Sequence, residues 1–286
     1  MKRQRMSIDW QQLKSPSYVL DEKCLIANLT FLENLEERAG IKIILALKSF
    51  SMFSVFPLIG KHITGSAVSS LHETRLAFEE MGGEVHAYSP AYQNEEIAYY
   101  LEHCKHITFN SLSQWQKFSS KIKNSSSKVS CGIRINPEYS EVKADIYNPC
   151  CSGSRFGIRA EELGDNLPEG IEGLFFHSLC QSGAETLKRT LEVIEKKFGK
   201  LLHQAKWLNM GGGHFLTHKE YNIELLIETV KHFKEKYDLE IILEPGEGVV
   251  YKTGALLCTV LDIVKNEGIQ TAIVDISFTA HIPDCL

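Results

Sequence analysis

The segment IKIILALKSF, Ile41 to Phe50, decides the fold. From Ile43 through Leu47 every side chain is apolar, so an extended chain here has no face suited to water. A strand of a parallel sheet covered on both sides reads in this way. The run ends at Lys48, which sets an ammonium group at the C-terminal end of the strand. Runs of the same kind follow at fairly even spacing: HITGSAV, GEVHAYS, HITFN, KVSCGIRIN, IEGLFFHSL, KWLNMGGG and LEIILEP. Between most of them apolar residues return every three or four positions, as in SLHETRLAFEEMG, SLSQWQKFSSKIK, AETLKRTLEVIEKKFGKLLHQA and EYNIELLIETVKHFKEKY. These are amphipathic helices, and Ser70 and Ser111 stand where N-caps belong. Eight strands alternating with helices predict an α/β protein, a (β/α)8 TIM barrel. An open doubly wound sheet is the alternative, and the count of eight argues against it.

The chain has 286 residues, 43% of them apolar, and a formal net charge of −5. That suffices for a large core, and the basic residues gather into no stripe, so neither nucleic acid nor a membrane surface is an expected partner. The opening MKRQRMSIDWQQL is followed by no apolar stretch of signal-peptide length, and no run approaches a membrane span, so a cytoplasmic protein with a small-molecule partner is expected. The eight cysteines include no CxxC pair and read as reduced thiols, and Cys150 and Cys151 are too close for an ordinary bridge. No metal site is expected.

Active sites of such barrels lie at the C-terminal ends of the strands. Lys48 follows the first strand, Arg134 lies near the end of the fifth and His177 near the end of the sixth. Gly211, Gly212 and Gly213 end the seventh, and Glu244 ends the eighth. Taken singly these are a solvated lysine, a hydrogen-bonded histidine and two turns. Taken together they form a set with one chemistry. A lysine amine at the rim of an apolar strand is expected to be partly desolvated, which favours the neutral nucleophile that captures an aldehyde such as pyridoxal phosphate. Successive glycines let backbone N–H groups approach a phosphate, an imidazole can stack on a pyridine ring, and a carboxylate set against the ring nitrogen keeps it protonated. The stretch NPEYSEVKADIYNPCCSGSRFGI interrupts the rhythm between the fifth and sixth strands, and a loop of that length predicts a functional part.

The strings RINPEYSEV, YNPCCSGSRFGI, LNMGGGHF, LEPGEG and FTAHIPD make the sequence resemble, over nearly its whole length, the fold type III pyridoxal-phosphate enzymes. That group includes alanine racemase and the ornithine and diaminopimelate decarboxylases, and the strings are most similar to those of the carboxynorspermidine (carboxyspermidine) decarboxylases. The resemblance implies that Lys48 holds the cofactor covalently, His177 stacks on its ring, Gly211 to Gly213 cradle its phosphate and Glu244 contacts its nitrogen. Arg134 and Glu73 would support these from behind. A racemase of this group has an arginine where Glu244 stands, so the glutamate implies decarboxylation. Amino-acid decarboxylases carry an arginine at the position of Glu247, where it helps hold phosphate. A carboxylate would repel phosphate, so Glu247, together with Asp284, is expected to meet the ammonium groups of a carboxylated polyamine substrate. A homodimer is implied as well.

The resemblance divides the chain into a segment at 1–20 associated with a β domain, a pyridoxal-phosphate-binding barrel at 21–250 and the start of a C-terminal β domain at 251–286. Family members continue past HIPDCL, so that β domain is expected to be incomplete, and Cys285 does not stand in the family's cysteine motif. The alternatives are a cofactor-binding protein of low or no activity, and an ornithine or diaminopimelate decarboxylase.

Overall fold

The structure, a computed structural model, describes residues 8–283; Asp284 and Cys285 lie outside them. The chain forms two compact units: one from the residues up to Asn28 together with those from Val250 onward, the other from Leu29 to Val249.

In the first unit, β1 (Ser17–Leu20) pairs antiparallel with a strand far along the chain. In the second, eight parallel strands close into a barrel in sequence order: β2 (Lys42–Ala46), β3 (Gly65–Val68), β4 (Glu84–Tyr88), β5 (His106–Phe109), β6 (Ser130–Arg134), β7 (Ile171–Phe175), β8 (Trp207–Asn209) and β9 (Glu240–Leu243). These are the eight runs read from the sequence. β2 pairs with β9 through Lys42 opposite Ile242, which seals the cylinder.

The interior is filled by size complementarity. Trp207 occupies so much of it that a Cβ on Gly132 or Gly173 would come within 2.2 Å or 2.0 Å of its ring. Its indole N–H donates to Ser130 Oγ at 2.9 Å, and the His106 ring stacks on it with centroids 4.4 Å apart. Charges at the N-terminal strand ends are paired, Lys42 with Glu84 and Glu240, and Lys206 with Glu172.

The helices behave as their periodicity requires. Ala184–Leu202 buries Leu187, Leu191, Ile194, Phe198 and Leu201 along one face, as Ile223–Tyr237 buries Leu226, Val230 and Phe233. Ser70 caps Leu71–Leu76 by accepting from the Glu73 N–H, and Ser111 caps Leu112–Lys123 in the same way from Gln114. The first of these helices continues in a π turn at Ala77–Met81. The stretch from Pro137 to Phe156 is irregular apart from a 3₁₀ turn at Asp145–Tyr147.

The remaining strands, β10 (Gly254–Leu257), β11 (Val260–Asn266) and β12 (Ile269–Val274), belong to the first unit. β10 is the partner of β1, and among the described residues β11 pairs with β12 alone. The unit reaches as far as Asn28 because β1 pairs with β10 and the Asn28 amide donates to the Tyr251 carbonyl at 3.0 Å, so chain beyond the expected residue 20 is tied to the C-terminal strands. Among the described residues all the cysteines are free thiols.

Candidate functional site

The strand ends deliver the expected residues to one region. Lys48 sits in a 3₁₀ turn, Leu47–Ser49, directly after β2. Arg134 is the last residue of β6. His177, Gly212 and Glu244 follow β7, β8 and β9. Lys48, Arg134, His177 and Glu244 line one small cavity, and two larger ones share part of its lining. A cavity of about 210 Å³ carries Lys48, His177, Gly212, Gly213, Glu244 and Glu247. A second, of about 320 Å³, shares Lys48, His177 and Leu179 with the first and is walled otherwise by Ser69, Tyr88, Pro90, Arg134 and the Tyr147–Phe156 loop.

Lys48 is exposed, against the expected partial desolvation. Burial of the strand ends at Leu47, and the 3₁₀ turn carries the lysine beyond the close-packed part of the barrel.

His177 is neutral and fixed. Its basicity falls well below the usual histidine value because it is desolvated, with the positive charges of Lys48 and Arg134 adding to the effect. The Gly212 N–H donates to Nδ1 at 2.8 Å, which leaves the ring proton on Nε2. Gly211 and Gly213 have φ of +69° and +85°. A Cβ would stand 2.5 Å from the Glu244 carbonyl oxygen at Gly212 and 2.2 Å from that of Leu179 at Gly213, so the glycine turn is pressed onto its neighbours. Its donors are not all open, in contrast to the simple cradle expected. Gly211 N–H goes to Asn209 Oδ1 and Gly212 N–H to His177, which leaves Gly213 N–H facing no protein acceptor among the described residues.

Glu244 is held by Asn209, whose Nδ2–H donates to Oε1 at 2.6 Å. Burial raises the Glu244 pKa, opposed by that hydrogen bond and by the charges of Lys48, His86 and Arg134. Asn209 therefore links the carboxylate to the glycine turn, and the sequence reading did not single it out. Arg134 is 4% exposed, donates to the His177 carbonyl at 3.2 Å and lies over the rings of Tyr88, Phe156 and Phe175 at 4.8, 4.5 and 5.4 Å.

Glu247 is exposed on the wall of the glycine-lined cavity and accepts from Gln181 Nε2 at 2.8 Å. Glu73 lines none of these cavities. Its carboxylate accepts the Ser69 N–H at 2.6 Å while its own N–H donates to Ser70 Oγ, which ties the chain entering the helix Leu71–Leu76 to its first turn. It reaches the site only through Ser69, which walls the cavities beside Lys48.

The residues present fit pyridoxal phosphate. The set provides an accessible amine for its aldehyde, a neutral imidazole for its ring and a carboxylate for its nitrogen. It also provides a turn that only glycine can form, with a free N–H for its phosphate. No group of His, Cys, Asp and Glu among the described residues could hold a metal ion, and no described helix is long and apolar enough to cross a membrane.

Comparison with known proteins agrees with this chemistry. Residues 28–251 match the family of the pyridoxal-dependent decarboxylases, through its pyridoxal binding domain. The chain is 46% identical over 275 residues to carboxyaminopropylagmatine decarboxylase of a Synechocystis species, covering 96% of this chain and 70% of that protein. It is 42% identical over 277 residues to carboxynorspermidine/carboxyspermidine decarboxylase of Campylobacter jejuni, covering 97% of this chain and 71% of the relative. The crystal structure of the Campylobacter jejuni carboxynorspermidine decarboxylase with norspermidine superposes with a TM-score of 0.87, covering 95% of this chain and 70% of the other. An amine, an imidazole and a carboxylate around a glycine turn thus have a shared explanation: the chain belongs to the pyridoxal-dependent decarboxylases, with pyridoxal phosphate as its cofactor.

Proposed function

We propose that the protein decarboxylates a carboxylated polyamine, carboxynorspermidine or carboxyspermidine, to norspermidine or spermidine, and that it works in the cytoplasm as a homodimer. The observation that carries this reading is the meeting of Lys48, His177 and Glu244 on one cavity, in a chain 42% identical to a relative named for that reaction. In the reaction the bond from the α-carbon to the carboxylate breaks, CO2 leaves, and the carbon takes up a proton. The cofactor supplies an electron-accepting ring for the charge left on that carbon.

The chain's own residues do the rest. Lys48, the exposed amine at the end of β2, would hold the cofactor through its aldehyde. His177, uncharged and tied to Gly212, would offer its ring to the cofactor's ring. Glu244, kept in place by Asn209, would hold the proton on the cofactor's ring nitrogen. The glycine turn would hold the phosphate through the Gly213 N–H, and Arg134 braces His177 by donating to its carbonyl. Glu247 faces an ammonium group of the substrate. Asp284, assigned the same task, lies outside the described residues.

The relative at 46% identity favours a second substrate of the same class, carboxyaminopropylagmatine, whose distal end differs. CO2 release measured with the three carboxylated polyamines beside ornithine and diaminopimelate tests the reading. Turnover of a carboxylated polyamine with neither amino acid accepted is expected, and preference for ornithine or diaminopimelate overturns it.

A further inference from the structure

Resting on that reading, we infer that the cavity on the loop side of Lys48 takes the substrate's carboxylate, and that Arg155 is the residue that recognises it. The two cavities that meet at Lys48 and His177 have opposite characters. The one on the glycine side contains Glu244 and Glu247. The one on the loop side contains Arg134 and Arg155 and, among the described residues, no carboxylate. A substrate with one carboxylate and several ammonium groups cannot be indifferent to that difference. The guanidinium side suits its single anion, and the cationic tail belongs elsewhere.

Of the two arginines only Arg155 has capacity to spare. Arg134 is committed to the His177 carbonyl and to three aromatic faces. Arg155 is exposed, lies over the Phe156 ring at 4.2 Å and forms no ion pair among the described residues. Nearby carboxylates of the same loop are used in other ways: Glu138 pairs with Lys197, and Glu141 with Arg189. Asp145 shares a neighbouring cavity with Arg155 but forms no ion pair with it.

The backbone that carries Arg155 is pinned. Asn110, just past β5, donates from Nδ2 to the Arg155 carbonyl at 2.8 Å, and its Oδ1 accepts the Gly157 N–H at 2.9 Å and the Tyr88 hydroxyl at 2.8 Å. One side chain thus fixes the loop on both sides of Phe156 and the tyrosine on the cavity wall, so that Asn110 is the positioning residue for Arg155. A guanidinium held in this way offers the paired donors that a carboxylate accepts.

The contact has a kinetic signature. The contact is made to a carboxylate that still carries most of its charge as its bond to the α-carbon begins to stretch, so it binds ground state and transition state about equally and leaves the chemical step unchanged. With the cofactor-loaded protein, Arg155→Gln should raise KM by about tenfold and leave kcat within about twofold, with Arg155→Lys intermediate. Asn110→Ala should shift KM in the same direction.

Calorimetry in a Lys48→Ala background, where turnover is blocked, gives binding apart from activity. Arg155→Gln should weaken carboxynorspermidine about tenfold and leave norspermidine, which lacks the carboxylate, within about twofold. Equal weakening of both compounds, no weakening of either, or a fall in kcat without a rise in KM overturns the assignment. A change confined to the oligomeric state does so too and makes Arg155 an interface residue. If the Lys48→Ala protein with Arg155 intact binds neither compound, the substrate reading itself is wrong, and this inference falls with it.

Discussion

Asn209 is 3% exposed and serves two masters, donating to Glu244 and accepting from the Gly211 N–H. Asn209→Asp separates the two tasks. The new carboxylate still accepts from Gly211, but the donor to Glu244 is gone and a second negative charge takes its place. At a charge separation of about 4 Å and an effective dielectric of about 20, two carboxylates repel by about 4 kcal/mol, and water in the adjoining cavity reduces this to about 2. Burial already raises the Glu244 pKa. The stability tied to its protonated form is therefore complete below the ordinary carboxylate range and is lost as pH rises through the raised value. The variant extends that loss. Denaturant titrations of the cofactor-free protein at about pH 5 and about pH 8 should show the stability gap between wild type and N209D widening by about 2 kcal/mol at the higher pH. In the loaded enzyme the acidic limb of the kcat/KM profile should move to higher pH, because the role proposed for Glu244 requires its ionised form. A gap that is equal at both pH values, with an unmoved acidic limb, would refute the coupling of Asn209 to Glu244.

Three further outcomes follow from the geometry. Gly213→Ala forces a side chain into φ +85° with its Cβ 2.2 Å from the Leu179 carbonyl oxygen; it should cost about 2 to 5 kcal/mol in denaturant titrations and abolish cofactor retention. Ser70→Ala removes the oxygen that accepts the Glu73 N–H at 3.2 Å and should cost about 1 kcal/mol by the same measurement. Burial, reinforced by neighbouring His86, lowers the pKa of His106 from the usual 6.5 to about 2, so its neutral form contributes stability above 6.5 that is lost as pH falls toward 2. His106→Phe, which retains the stack on Trp207, should move the acid-unfolding midpoint to lower pH, and an unchanged midpoint would contradict this.

The barrel was legible because its strands are buried on both faces, which imposes continuous apolar runs such as Ile43 to Leu47 that nothing else in the chain requires. The caps Ser70 and Ser111 were legible because capping is local. Lys48, Arg134, His177 and Glu244 were singled out by position, since each stands at or just past a strand end, and the structure brings these four onto one cavity. What sequence reading missed depends on distant partners. Asn209 and Asn110 are ordinary asparagines until the fold brings Glu244 and Arg155 to them. The exposure of Lys48 depends on a 3₁₀ turn whose sequence, LKS, has no distinctive mark. The reach of the first unit to Asn28 follows from the pairing of β1 with β10, more than two hundred residues on, which no local pattern announces.

The central claim is that one amine, at the end of β2, captures the cofactor. The direct measurement is borohydride reduction of the purified, cofactor-loaded protein followed by peptide mass spectrometry. A stable pyridoxyl group on the peptide bearing Lys48, absent from Lys48→Ala, is the predicted result. A label on any other lysine, or none on a protein that still decarboxylates, would contradict the account.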